Sequence, residues 1–177
     1  MKRIATILLI ICTLSSALCR AESSGIVHDF NDLVSKGELT FPYRPSDYSV
    51  GVTDLVTYTG SGSPNKGGFG YSSAYCIILP KDGVIQTSPA ISGLNRVQIF
   101  HTKGSTPTGV KIYISTDNSS WTEITSSAKF SSSDIDAPMP SRGDYYLKIV
   151  NENAEAINFL SFQYTIEPCH CLRVVSE

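Results

Sequence analysis

Apolar and polar residues alternate along most of this chain. In Gly109–Ser115, Val110, Ile112 and Ile114 fall on one phase and Lys111, Tyr113 and Ser115 on the other. That period of two belongs to a strand with one buried face. Asn95–Thr102 repeats it, with Val97, Ile99 and His101 opposing Arg96, Gln98 and Phe100. Asp144–Val150 puts Tyr145, Leu147 and Ile149 together, and Asn158–Ile166 does the same for Leu160, Phe162, Tyr164 and Ile166. Tyr75–Leu79 is continuously apolar, which predicts a strand covered on both faces. Less regular strands are expected at Ile26–Phe30, Asp54–Thr59, Val84–Thr87 and Thr122–Ser126.

Turn chemistry punctuates these runs. Lys81-Asp82-Gly83 and Asp117-Asn118-Ser119 carry tight hairpin signals. Gly60–Gly68 and Pro138–Gly143 read as longer loops. One helical patch is expected at Phe30–Lys36, with Gly37 as its stop. About 8–9 short strands with regular turns predict an all-β fold, a single antiparallel β-sandwich.

The N-terminus has a different pattern. Met1-Lys2-Arg3 precedes the apolar run Ile4–Leu14, which is shorter than the ~20 residues a membrane-spanning helix needs. It reads as a secretory signal peptide over 1–21, cleaved after Ala21 or, alternatively, after Cys19. Lipid attachment at Cys19 is disfavoured because Leu18 stands where a small residue is wanted. The expected organisation is therefore a signal peptide at 1–21, a sandwich at 22–167 and a tail at 168–177. The product would be secreted or held in the cell envelope, as a periplasmic, surface or extracellular protein with no transmembrane segment once the signal is removed.

Composition narrows the functions. The formal net charge is −2 over 177 residues, and removing 1–21 takes away Lys2, Arg3 and Arg20 but no acid. Nucleic acid needs a basic footprint, so it is not an expected partner. Cys76, Cys169 and Cys171 remain as disulfide candidates. Cys76 fits either a small buried hydrophobe or one end of a bridge to the tail. Cys169-His170-Cys171 lacks the ligand number and spacing of structural zinc. No G-x-S-x-G, H-E-x-x-H or phosphate-cradling motif occurs. Asp134 and Asp136 form the only carboxylate pair singled out for glycosidase chemistry. Catalytic residues are accordingly none, and the chain is not expected to be an enzyme.

The most informative stretch is Val110-Lys111-Ile112-Tyr113-Ile114-Ser115-Thr116-Asp117-Asn118-Ser119-Ser120-Trp121-Thr122-Glu123-Ile124. It resembles the "V-x-V-S-x-D-G-x-x-W-x-x-V" hairpin of secreted carbohydrate-binding-module-like sandwiches, the discoidin and galactose-binding-like jelly rolls. Asn118 stands where glycine is common and tolerates the same left-handed turn. Tyr145-Tyr146-Leu147-Lys148-Ile149-Val150-Asn151 is similar to their "Y-L-R-I-x-N" strand, and Leu94–Phe100 to their "L-x-x-V-x-F" strand. The resemblance spans about residues 26–166, and 109–124 is its specific part. It implies a jelly-roll sandwich of the kind found in polysaccharide-degrading bacteria, and glycan or surface binding.

Sugar binding needs an exposed aromatic face, which stacks on pyranose C–H groups, and polar forks for the hydroxyls. The candidates for ligand binding are Tyr113 and Tyr146, with Arg96 and Lys148 on similar strand phases, and Trp121. Trp121 is first expected in the core, since tryptophan is highly buried on average. Tyr43, Tyr48 and Tyr71 are further platforms. The resemblance also implies a structural calcium; Asp29, Asp32, Asp54 and Glu167 are the acids nearest the first and last strands, although no calcium loop motif is present. Asn118-Ser119-Ser120 matches the N-glycosylation pattern. The expected partner is a glycan or, as the alternative, a cell-surface protein bound by an adhesion sandwich without a sugar site. A small glycan-processing enzyme is the third reading.

Overall fold

The computed structural model describes residues 24–39, 47–52, 56–61, 63–68, 71–102 and 105–167. The expected signal peptide, the tail with Cys169 and Cys171, and Tyr43 and Asp54 lie outside the described residues, as do the side chains of Tyr48 and Tyr71. Among the described residues are twelve strands, all antiparallel, and one α-helix. No helix among them is long and apolar enough to cross a membrane.

The strands are β1 (Ser24–Asp29), β2 (Asp47–Val52), β3 (Val56–Ser61), β4 (Ser63–Gly68), β5 (Tyr71–Leu79) and β6 (Val84–Ser88). They continue with β7 (Ile91–His101), β8 (Val110–Ser115), β9 (Thr122–Glu123), β10 (Lys129–Phe130), β11 (Asp134–Asn151) and β12 (Ile157–Ile166). In the first sheet, β12 lies beside β7 and is flanked on its other side by β1 and β5. β4 pairs with β5 at one edge, and the first half of β11 joins β7 to β10 at the other. The second sheet runs β2, β3, β6, the second half of β11, β8 and β9.

β11 is therefore shared, and its middle explains how. Pro138 pairs with Arg96, after which the register shifts between Pro138 and Gly143 and again before Tyr145. Proline has no N–H for a ladder, so it belongs where pairing is interrupted. The segment expected to be a loop is thus the irregular stretch over which one strand leaves the first sheet, and from Tyr146 it pairs with β8 in the second.

The two inner faces close on each other as the alternation requires. Val97, Ile99, Ile135, Ala137, Phe162 and Tyr164 of the first sheet are buried, as are Tyr58, Ile85, Ile112, Ile114, Leu147 and Ile149 of the second. Tyr58 packs across the gap on Phe162 at 5.1 Å between ring centroids. It also shares a hydrogen bond of 2.7 Å with the Tyr164 hydroxyl and one of 2.6 Å with His28 Nδ1. One arrangement satisfies all three groups. A neutral imidazole accepts at Nδ1 from Tyr58, whose oxygen accepts from Tyr164. Burial keeps that imidazole neutral, lowering its pKa to about 4.

The helix α1 (Phe30–Ser35) falls where expected. Asp29 caps it, accepting from the N–H groups of Asn31 and Asp32, and Gly37 ends it at φ 75°. Phe30 and Leu33 turn inward, and Phe30 meets Tyr58 edge-on at 5.6 Å.

Three expectations change. Gly60–Gly68, read as a loop, contains the end of β3 and all of β4. At Gly60 (φ 152°) a Cβ would lie 1.9 Å from the Val84 carbonyl oxygen, so its glycine marks a close backbone approach rather than a flexible loop. Leu160 leaves the phase of Phe162 and Tyr164, because a bulge sets Phe159 opposite His101 and Ser161 opposite Phe100. The expected strand Thr122–Ser126 is only Thr122–Glu123, followed by a 3-10 turn at Thr125–Ser127.

Candidate functional site

The site is built by the β8–β9 hairpin and the second half of β11. Asp117 organises the turn. Its carboxylate accepts from the N–H groups of Ser119 and Ser120 and from the Ser115 hydroxyl. These bonds, those of Ser120 and Ser119 foremost, hold it well below the usual carboxylate range. Asn118 takes the left-handed position at φ 61°. Beyond the turn, Ile124 is buried and its N–H donates to the Ile112 carbonyl, while Thr125 Oγ1 accepts from Ile112 N–H. The chain is thereby pinned on both sides of Trp121.

Register then assembles the outward face of the second sheet. Gln86 lies opposite Lys148, Lys148 opposite Tyr113, and Tyr113 opposite Glu123. Directly opposed residues share a face. Thr59 extends the row beyond Gln86. Tyr146, two residues before Lys148, lies on the same face.

Lys148 is the centre of this row. Its Nζ stands 4.1 Å from the Trp121 ring centroid and 5.0 Å from that of Tyr113. Both are cation–π distances. The rings partly desolvate the ammonium, and burial lowers its pKa below the ordinary lysine value. At one border Lys111 Nζ pairs with Glu123 at 3.3 Å. At another, Gln86 Nε2 donates to Asn118 Oδ1 at 2.6 Å.

Four of the five sequence candidates therefore share one face: Tyr113, Trp121, Tyr146 and Lys148. Trp121 is half-buried beneath Lys148 rather than part of the core, because the pinned turn holds it on the outside of the sheet. Arg96 is elsewhere, on the outward face of the first sheet, where its guanidinium pairs with Asp136. Beside it, Gln98 and Ser131 donate to Asp134, and these bonds, Ser131 first, lower the Asp134 pKa. The carboxylate pair singled out for glycosidase chemistry is thus engaged within its own sheet.

The described acids considered for calcium have other roles, Asp32 in an ion pair with Lys36. Asp29 caps α1, and Glu167 accepts from Asn95 Nδ2 at 2.9 Å. Among the described residues no cluster of three or more His, Cys, Asp or Glu is arranged to hold a metal ion. Cys76 is buried, and burial raises its thiol pKa to about 11. Sequence reasoning missed Gln86 as a member of the face, since only the β6–β11 register places it there. It also missed the duty of Asn151, which is fully buried. Its amide donates to the carbonyls of Leu79, Pro80 and Glu155, and its Oδ1 accepts from Asn153. The asparagine closing the "Y-L-R-I-x-N"-like strand is a loop anchor here, not a ligand group.

No family model matches the chain. No curated protein matches it. Among solved structures, one described under "The complexity of the Ruminococcus flavefaciens cellulosome reflects an expansion in glycan recognition" is similar over 84% of this chain and 99% of that one, at TM-score 0.45 and 14% identity. So loose a likeness leaves function to be argued from the face itself.

Proposed function

We propose that this protein is a non-catalytic binding module that holds a saccharide on the outward face of its second sheet. The observation that carries the reading is the convergence of the Trp121 and Tyr113 rings on Lys148, which stands opposite Tyr113, with Tyr146 on the same face. Aromatic rings offer a flat apolar surface for sugar C–H groups, and Gln86 and Asn118 offer an amide donor and acceptor for hydroxyls. The rows belong to a rigid sheet, which suits a preformed site. A protein-docking sandwich would call for a contiguous exposed apolar patch. Among the described residues Val27 alone is a large hydrophobic that is strongly exposed. Export, as residues 1–21 suggest, would bring such a module to glycans of a cell surface or its surroundings.

The test is a glycan array probed with the full chain, with calcium and with chelator. Specific binding lost on Trp121→Ala, at unchanged melting temperature, is the expected result. A blank across plant, host and microbial glycans would overturn the reading. Binding untouched by Trp121→Ala would move the site away from this face.

A further inference from the structure

The position of Lys148 says something about which saccharides suit this face. Its ammonium occupies the space over Trp121 and Tyr113 into which a sugar ring would stack. The ion pairs among the described residues are Lys36–Asp32, Arg96–Asp136 and Lys111–Glu123, so among those residues no carboxylate pairs with Lys148. The two acids of the adjoining β8–β9 hairpin are already engaged. Glu123 is bonded to Thr125 and Lys111, and Asp117 is bonded to Ser115, Ser119 and Ser120. A partly desolvated cation held between rings and lacking a counter-charge is a receptor for an anion.

From this juxtaposition, and on the strength of the binding reading above, we infer that the ligand is an acidic saccharide, whose carboxylate or sulfate is received by the ammonium of Lys148. A neutral sugar that stacks on the rings must displace the ammonium and gives it nothing charged in return. An acidic sugar draws the ammonium off the rings onto its own anion, so the ring faces open while the charge stays paired. Gln86 and Asn118 then lie beside the row for the hydroxyls of the same sugar. The net charge of −2 works against indiscriminate adhesion to polyanions, so an acidic preference would have to come from a local site.

Two matched pairs of probes test this with the full chain: polygalacturonate against its methyl ester, and dextran sulfate against dextran. At least one acidic member is expected to bind about tenfold or more tightly than its neutral partner, with affinity falling as salt rises. The pair that responds tells a carboxylate from a sulfate. Lys148→Met keeps the length and the apolar contact, and it should abolish the preference without moving the melting temperature. Lys148→Arg should restore most of it. Equal binding of acidic and neutral members, or a preference that Lys148→Met leaves intact, overturns the inference while the binding face stands. Poly-glutamate bound as tightly as the acidic sugars, with the same dependence on Lys148, overturns the saccharide part. If no glycan binds here or on the array, both readings fail.

Discussion

The two outward faces of the sandwich are built from the same strand and treat charge in opposite ways. On the first sheet, β11 presents Asp134 and Asp136, and the neighbouring strand answers each: Gln98 donates to one and Arg96 pairs with the other. Both carboxylates are engaged there. On the second sheet, the same strand presents Tyr146 and Lys148, and the neighbours answer with an aromatic ring and an amide. A closed ion pair on a sheet surface is a register device, worth little and asking for no ligand. A cation held over rings without a counter-charge is unfinished. The contrast locates function by what a surface leaves unsatisfied rather than by how many polar residues it carries.

The largest expected effect concerns the joint that holds the two faces back to back, where His28, Tyr58 and Tyr164 meet. The folded imidazole has its pKa lowered from 6.5 to about 4, so the unfolded chain takes up a proton at a higher pH than the folded one. Stability that is fully present above pH 6.5 is therefore lost as pH falls towards 4, by about 3 kcal/mol in all. Denaturant midpoints measured from pH 7 to pH 4 should show this slope, and His28→Gln should flatten it. A slope unchanged by that substitution would place the acid sensitivity elsewhere. Next comes the open face. Trp121→Ala should weaken saccharide binding about 30-fold, near 2 kcal/mol, with no change in fold. Gln86→Ala removes a single amide and should cost about threefold, the scale of one hydrogen bond. Titration calorimetry against the best array ligand measures both. Equal losses for the two would mean that the rings are not the platform.

How much of this was legible in the sequence depends on what each signal encodes. β7, β8 and the end of β11 were legible because one face of each is buried, and burial imposes the period of two. α1 was legible from its stop at Gly37, and the hairpin from Asp117-Asn118. β4 was not, because Ser63-Pro64-Asn65-Lys66-Gly67-Gly68 has neither periodicity nor strand-forming residues. It is a sheet edge, paired with β5, and its conformation is set by that partner. Pro138–Gly143 misled for a related reason: prolines mark interrupted pairing, and whether the chain then turns back or crosses to another sheet is decided by tertiary contacts. The same limit applies to the site. Alternation says that Arg96, Tyr113, Tyr146 and Lys148 point outward. It does not say from which of two sheets, and Arg96 was separated from the others on that point alone.

Arg96 therefore supplies the smallest effect and the sharpest control. Arg96→Ala removes a cation as outward-facing as Lys148, on a neighbour of the same strand β11. If a bare positive charge were what draws an anionic ligand to this chain, the two substitutions would weaken binding alike at low salt, where the screening length of ~30 Å at 0.01 M spans two sheets packed ~10 Å apart. If the site is a shaped one, Arg96→Ala should leave affinity within twofold. It would then cost only the exposed pair with Asp136, up to about 1 kcal/mol of stability. The direction of any residual change is also fixed. Freed of Arg96, Asp136 adds an unpaired negative charge to the opposite face, so an acidic ligand should bind slightly less well at low salt, and the difference should vanish as salt rises. A loss on Arg96→Ala that persists in high salt would mean that the first sheet, not the second, carries the ligand.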